Sequence, residues 1–441
     1  MPHDNHASRV VIIGGGFAGV AAAQALENRL PPAWQILLVS RENYMTFNPL
    51  LAEAVGASIL PSHVVAPLRQ MLGRTQFAMH DVTEIDLGAK QVFYLGEGDG
   101  VLTFDHLIIA CGLRANLDLV PGMSDYALPL KTLGDALFLR NRVMVRLEHA
   151  DVATSVDTKR WLGRFVVVGG GFSGVEVACE IHDCVQGARR FYPNLRDMDF
   201  QVTILHSGPH LLPEVSTKLG KYAEALLCKK GIIVRLNARA VSVDDRAVTL
   251  SDGSRLDAGT VVCTIGTAPH AFIEGLAVEK QRGRIVVRDD MSLPGFGNVW
   301  AIGDCAAVLN AEHGESAPPT AQFAVREARQ AADNVARAVA GEAPRPFRYK
   351  PRGQLASLGH NRAVAEVFGI KLAGFSAWLL WRGFYLLQMP TLARKVRLYL
   401  EWNWGLLFPP DIVHLRYTRS RRGPNRVSAA AFCSKEATDA N

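Results

Sequence analysis

The segment RVVIIGGGFAGVAAAQAL at residues 9–26 returns nearly unchanged as RFVVVGGGFSGVEVACEI at residues 164–181. Each copy carries a β-branched run, Val10–Ile13 or Val166–Val168, into the pattern G-x-G-x-x-G and then a small-residue apolar helix. Gly14 and Gly169 permit the tight turn, Gly16 and Gly171 let backbone approach a pyrophosphate, and Gly19 and Gly174 let the helix pack on its strand. Phosphate charge then sits on the free N–H groups of the helix N-terminus. One such match is weak evidence, whereas two in the same strand–turn–helix setting are strong. The repeat continues in FDHLIIACG (104–112) and LDAGTVVCTIG (256–266), buried-strand patterns that each follow a turn-rich hairpin. The fold class is therefore α/β. Each half is a Rossmann-like nucleotide-binding unit with an inserted antiparallel piece, and two units imply two nucleotides.

A later strand, NVWAIGDCA (298–306), ends in Gly303–Asp304, and PPTAQFAVREARQAADNVARAVAG then opens a helix expected from Ala321 to Ala340 with Gly341 as its stop. Both follow the second glycine motif, so the first unit is expected to be discontinuous, 1–130 with 290–345, around a second unit at 131–289. A Pro/Arg-rich link at 342–349 introduces a segment at 346–418, and 419–441 reads as a basic disordered tail.

Of the formal net charge of +6, all arises late: from Lys371 onward eleven Lys/Arg face four Asp/Glu. Such a tail points to an anionic surface. Four of the seven tryptophans also lie there, in FSAWLLWRGFYLLQMPTLARKVRLYLEWNWGLLF (375–408), which reads as two helices broken at Pro390. In the second, Leu392, Val396, Tyr399 and Leu400 share a face that Arg394 and Arg397 avoid, as in a helix lying in lipid headgroups. A buried dimer interface or subdomain core is the alternative. The apolar stretch at 378–389 is too short to span a bilayer and holds Arg382, no targeting segment is expected before the first strand, and nothing resembles a nucleic-acid recognition element. Seven cysteines at scattered spacings form no disulfide framework or metal motif, and Cys179 and Cys184 are expected in the core.

The paired GGGFxGV motifs, RENYMTFNPLL (41–51), AIGDCA, PPTAQ and the aromatic-basic C-terminal segment together resemble the type II NADH dehydrogenases over roughly residues 9–418. These are non-pumping, membrane-surface NADH:quinone oxidoreductases. The resemblance implies FAD in the first unit, against Gly14, Gly16, Phe17, Ala18, Gly19, Ser40, Arg41, Val82, Ala110, Gly112, Asp304, Ala321 and Gln322. It implies NADH in the second, against Gly169, Gly171, Phe172, Ser173, Gly174, Glu176, His206 and Gly266. Asp304 would hold the ribityl chain, or else cap a helix. Ala321 and Gln322 would turn N–H groups to the flavin pyrimidine and stabilise its reduced anion, or else open an ordinary surface helix. Glu176, which replaces Ala21 of the first copy, would orient the nicotinamide and take part in proton relay, with Gln322 the second catalytic candidate; the bland reading of Glu176 is helix-dipole stabilisation. The implied reaction is ping-pong, with hydride passing to flavin and then two electrons to a membrane quinone at the cytoplasmic face.

Several positions depart from the pattern. The acid that usually binds the ribose is Ser40 in the first unit, with Arg41 and Glu42 as substitutes, and His206 followed by Ser207 in the second. NADPH is therefore as open as NADH from these residues. Arg326 replaces a family glutamine and would meet either a quinone carbonyl or a salt-bridge partner, and His360 reads as structural. The cysteine spacing excludes disulfide reductases and sulfide:quinone oxidoreductases of this fold. A soluble reductase of a ferredoxin-like carrier and a non-catalytic nucleotide-sensing membrane adaptor remain as rivals.

Overall fold

The computed structural model describes residues 8–96, 98–312 and 314–415. The tail expected at 419–441 lies outside them. The first sheet orders Ser292–Leu293, Phe296–Ala301, His106–Ile109, Arg9–Ile13, Gln35–Ser40 and Gln76–Met79, all parallel neighbours except the first pair. Its strands thus come from both sides of a second sheet, built from Ala127–Pro129, Thr260–Cys263, Arg164–Val168, Gln201–Leu205 and Ile233–Arg235. Parallel strands covered on both faces need continuous apolar runs. Val10, Val11 and Ile12 accordingly have no exposed surface, and neither do Phe165 and Val167.

Six helices matter below: α1 (Phe17–Glu27), α2 (Leu51–Val55), α3 (Phe172–Ala188), α4 (Ala321–Val339), α5 (Phe375–Gln388) and α6 (Leu392–Leu407). The small residues of α1 pack against the buried Ala324, Ala328, Ala331 and Ala332 of α4, which draws the late helix onto the first sheet. Gly341, at φ +74, follows the end of α4 in a conformation that glycine adopts without strain.

The C-terminal segment is a three-stranded antiparallel sheet (Gly353–Ser357, Ala363–Val367, Ile370–Gly374) followed by α5 and α6, and the break falls at Met389–Thr391 around Pro390. The tryptophans do not all face outward. Trp378, Trp381 and Trp402 are buried, and Trp381 lies 6.0 Å from Trp402, ring to ring. Arg382 stacks over Trp378 at 4.0 Å and over Trp402 at 4.9 Å, so these contacts tie α5 to α6. Exposed apolar side chains occur on both helices: Leu379 and Leu387 on α5, and Leu392, Val396, Tyr399, Leu400, Trp404 and Leu407 on α6. Among the described residues no helix is long and apolar enough to cross a membrane.

The two faces of α6 give opposite mutational outcomes. Leu398 has no exposed surface, so Leu398→Ala is expected to cost about 2–5 kcal/mol in chemical denaturation. Leu392 is 77% exposed, so Leu392→Ala is expected to change stability by under about 0.5 kcal/mol.

Candidate active site

A cavity of about 840 Å³ opens at the carboxyl end of the first sheet, a size suited to a cofactor. Its floor is the first glycine turn. Gly14, at φ +113, takes a conformation closed to other residues, and a Cβ on Gly19 would lie 1.8 Å from the Gly14 carbonyl oxygen. That contact seats α1 with its N-terminus on the cavity. No side chain caps α1 and no acid lies in its first turn, so its N–H groups remain available to a pyrophosphate. A Cβ on Gly16 or on Gly112 would meet nothing within 4 Å, so the space above both glycines is open. Phe17, Ala18, Ser40, Arg41, Glu42, Val82, Ala110, Asp304 and Ala321 line the same space. The residues present therefore fit FAD.

Asp304 sits in a 3-10 turn at the end of the strand Phe296–Ala301, with Lys131 Nζ 3.5 Å away and also on the wall. Beneath it, the Gly303 N–H donates to the buried Glu327 carboxylate at 2.6 Å. Burial pushes the Glu327 pKa up to about 7 despite that bond. Glu327 interrupts the apolar stripe Phe323, Ala324, Ala328, Ala331 of α4, and an acid at core spacing was the signal that could have found it.

Ser173 and Glu176 of α3 lie on the wall of this same cavity, so one space reaches both glycine-rich helices. Glu176 accepts the Ser357 N–H of the C-terminal sheet at 3.0 Å, and burial raises its pKa to about 8. One turn along α3, the Glu180 carboxylate accepts from Ser58 Oγ at 2.6 Å, and burial lifts its pKa also. Glu53 of α2 is 6% exposed and accepts from Trp402 Nε1 at 2.8 Å, with its pKa raised by burial to about 7. Beyond it, Glu401 of α6 meets the Leu60 N–H and His63. The cation acting on both Glu53 and Glu180 is Arg382. Buried carboxylates thus run from the cavity wall to the underside of the exposed helix pair.

Other expected residues stand apart from the cavity. The Gln322 side chain accepts from Tyr349 Oη at 3.0 Å and the Arg352 N–H at 3.3 Å, and donates to the Gly353 carbonyl at 3.2 Å, so its polar end serves the linker. Its neighbour Ala321, at the start of the same helix, lines the wall. Arg326 stacks over Tyr349 at 5.5 Å. His360 donates its N–H to Asp183, which also pairs with Lys230. Gly169 (φ +123) and Gly174 repeat the first turn, with a Cβ on Gly174 falling 1.9 Å from the Gly169 carbonyl oxygen. Gly171 caps α3, and Phe172 packs against the core. A Cβ on Gly266 would strike Leu119 at 2.0 Å, so this glycine is covered where Gly112 is open. His206 turns its ring under Gly170 and accepts that N–H on Nδ1 at 3.2 Å.

Two such glycine turns, one forming the cavity floor and the other sending its helix to the cavity wall through Ser173 and Glu176, define a two-dinucleotide flavoprotein. The family model for pyridine nucleotide-disulphide oxidoreductases matches residues 8–328, and that for the NDH2 C-terminal domain matches residues 352–409. The type II NADH:quinone oxidoreductase Ndh of Mycobacterium tuberculosis is 31% identical over 90% of this chain and 87% of that protein. The demethylphylloquinone reductase NdbB of Synechocystis is 30% identical over 89% and 95%. The NDH2 structure from Plasmodium falciparum has the same fold, with TM-score 0.84, 20% identity, and 92% and 99% of the two chains covered. The chain belongs to the type II NADH:quinone oxidoreductase family.

The buried acids make stability depend on pH. Glu53 has a folded pKa of about 7 against 4.5 for a free side chain, so the folded state holds a proton that the unfolded state gives up. Its stabilising effect is complete below the unfolded value and is lost as pH rises through the folded one. The melting temperature of the wild type is expected to fall between about pH 5 and about pH 8, and Glu53→Gln to fall distinctly less, as read by differential scanning calorimetry.

Proposed function

We propose that this chain carries out NADH + H⁺ + quinone → NAD⁺ + quinol as a peripheral enzyme on the NADH-facing, cytoplasmic side of a membrane. The observation that supports this best is the single cavity walled by both glycine-rich helices and backed, through Glu176 and the buried acids, by an apolar helix pair. FAD, when bound, supplies the two-electron chemistry that joins a hydride donor to a quinone. Gly14, Gly16 and the α1 N-terminus take its pyrophosphate, and Asp304 accepts hydrogen bonds from its ribityl hydroxyls. Among the described residues α4 also has no acid in its first turn, so its N-terminal end presents positive potential at Ala321. Glu176 sits where the second helix meets the cavity and holds a proton at neutral pH, placing a donor beside the reacting groups. The nicotinamide and the quinone use this one space in turn, which makes the kinetics ping-pong.

The exposed apolar face of α5 and α6 is the surface proposed to seat on anionic lipid, with a second copy of the chain as the competing occupant. Flotation with anionic vesicles separates the two, as does sedimentation without lipid. Leu392→Glu with Leu400→Glu is expected to abolish flotation while leaving turnover with a water-soluble short-chain quinone unchanged.

The catalytic reading is tested by anaerobic bleaching of the flavin band with NADH, followed by reoxidation with that quinone. A yellow protein that NADH does not bleach would sink it. Glu176→Gln is expected to lower kcat by about 10²-fold with flavin content retained. Wild-type kcat is expected to decline as pH rises through about 8, where Glu176 loses its proton, and the variant to lack that limb.

A further inference from the structure

We propose that Lys131 is a positioning residue for FAD: reaching across from the second unit, it holds the Asp304 carboxylate of the first in place for the ribityl hydroxyls. The inference rests on the reading of the cavity as the FAD site. Lys131 follows the strand Ala127–Pro129, which pairs with Thr260–Cys263 in the second sheet. Asp304 follows the strand Phe296–Ala301, which pairs with His106–Ile109 in the first. Their contact therefore spans the junction of the two units. Both residues line the cavity, and Lys131 Nζ lies 3.5 Å from Asp304 Oδ2.

The backbone of Lys131 is fixed from both sides. Thr132 opens the helix Leu133–Val152 with a capping box, in which Asp135 Oδ2 accepts the Lys131 N–H at 3.0 Å and the Thr132 N–H at 2.8 Å. The Lys131 carbonyl accepts from Asn48 Nδ2 of the first unit at 3.4 Å. Two other cations of the wall are engaged elsewhere, Arg41 with Glu42 at 3.7 Å and Arg114 with Glu274 at 3.2 Å. Among the described residues Lys131 is the cation that forms an ion pair with Asp304. Arg284 acts on Asp304 from beyond that distance and gives Nη2 to the Ala317 carbonyl at 3.0 Å.

A carboxylate accepts hydrogen bonds on both oxygens. The ammonium engages Oδ2, and among the described residues Oδ1 has no partner, so one oxygen stays available to a hydroxyl. Glu327 holds the backbone of this turn through the Gly303 N–H, whereas Lys131 holds its side chain. A side chain held before the cofactor arrives has less freedom to lose on binding, so the complex lasts longer.

The test follows release of FAD from the loaded full chain, read as the rise of flavin fluorescence after dilution. Lys131→Met is expected to speed release by about 10- to 10²-fold. Lys131→Arg, which keeps the charge, is expected to retain most of the wild-type residence time. Asp304→Asn keeps one carbonyl acceptor and speeds release by itself. Adding Lys131→Met to it is expected to bring under about threefold more, because the two side chains act as one. An unchanged release rate in Lys131→Met overturns the role of Lys131. So does a full 10-fold or greater effect of Lys131→Met in the Asp304→Asn background, which would mean that it does not act through Asp304. A wild-type chain that neither carries FAD nor takes it up overturns the reading of the cavity and this inference with it.

Discussion

A carbonyl oxygen pressed against a Cα that bears no side chain decides the architecture. It occurs twice, between Gly14 and Gly19 and between Gly169 and Gly174, where a Cβ would lie 1.8 and 1.9 Å from the facing oxygen. The contact brings each helix down onto its strand so that the helix N-terminus, with its unpaired N–H groups, opens at the carboxyl edge of the sheet. Everything chemical is arranged around those two openings. The first is completed by a strand and a helix that arrive late in the chain, and their Ala-rich packing on α1 brings Asp304 and Ala321 to the cavity.

The second constraint is electrostatic. Glu176, Glu180 and Glu53 are shut into the junction of α2, α3 and the C-terminal helices, with Arg382 the cation that acts on two of them. Buried carboxylates with too few counter-charges retain protons well above their usual range. The junction is consequently a store of protons at neutral pH, and it lies between the cavity and the exposed apolar side chains of α5 and α6. Trp402 belongs to both sides, since its ring packs in the core while its Nε1 holds Glu53.

Much of the architecture was legible in the residues. Periodicity and glycine spacing located both nucleotide turns, the hairpin insertions, the helix beginning at Ala321 and the pair of helices around Pro390. These signals are local, because turn geometry and the faces of a helix depend on residues a few positions apart. Glu53, Glu180, Glu327 and Lys131 went unread for the opposite reason. A glutamate at core spacing becomes informative only when the group facing it is known, and their partners Trp402, Ser58, Gly303 and Asp304 are distant in sequence. Three tryptophans expected to suit the membrane surface are instead buried against Arg382 and one another, since composition does not tell which face of an amphipathic helix meets the body.

The sequence by itself determined that two dinucleotide cradles exist, that a strand and helix from beyond the second return to the first, and that a basic, aromatic pair of helices follows them. Those properties follow from backbone conformations only glycine allows and from apolar periods. Only the tertiary structure decided that the second glycine-rich helix brings Ser173 and Glu176 to the cavity of the first cradle, and that Gln322 turns its side chain to the linker. Where a side chain ends up depends on what distant segments pack against it, and that is settled by closing the chain on itself.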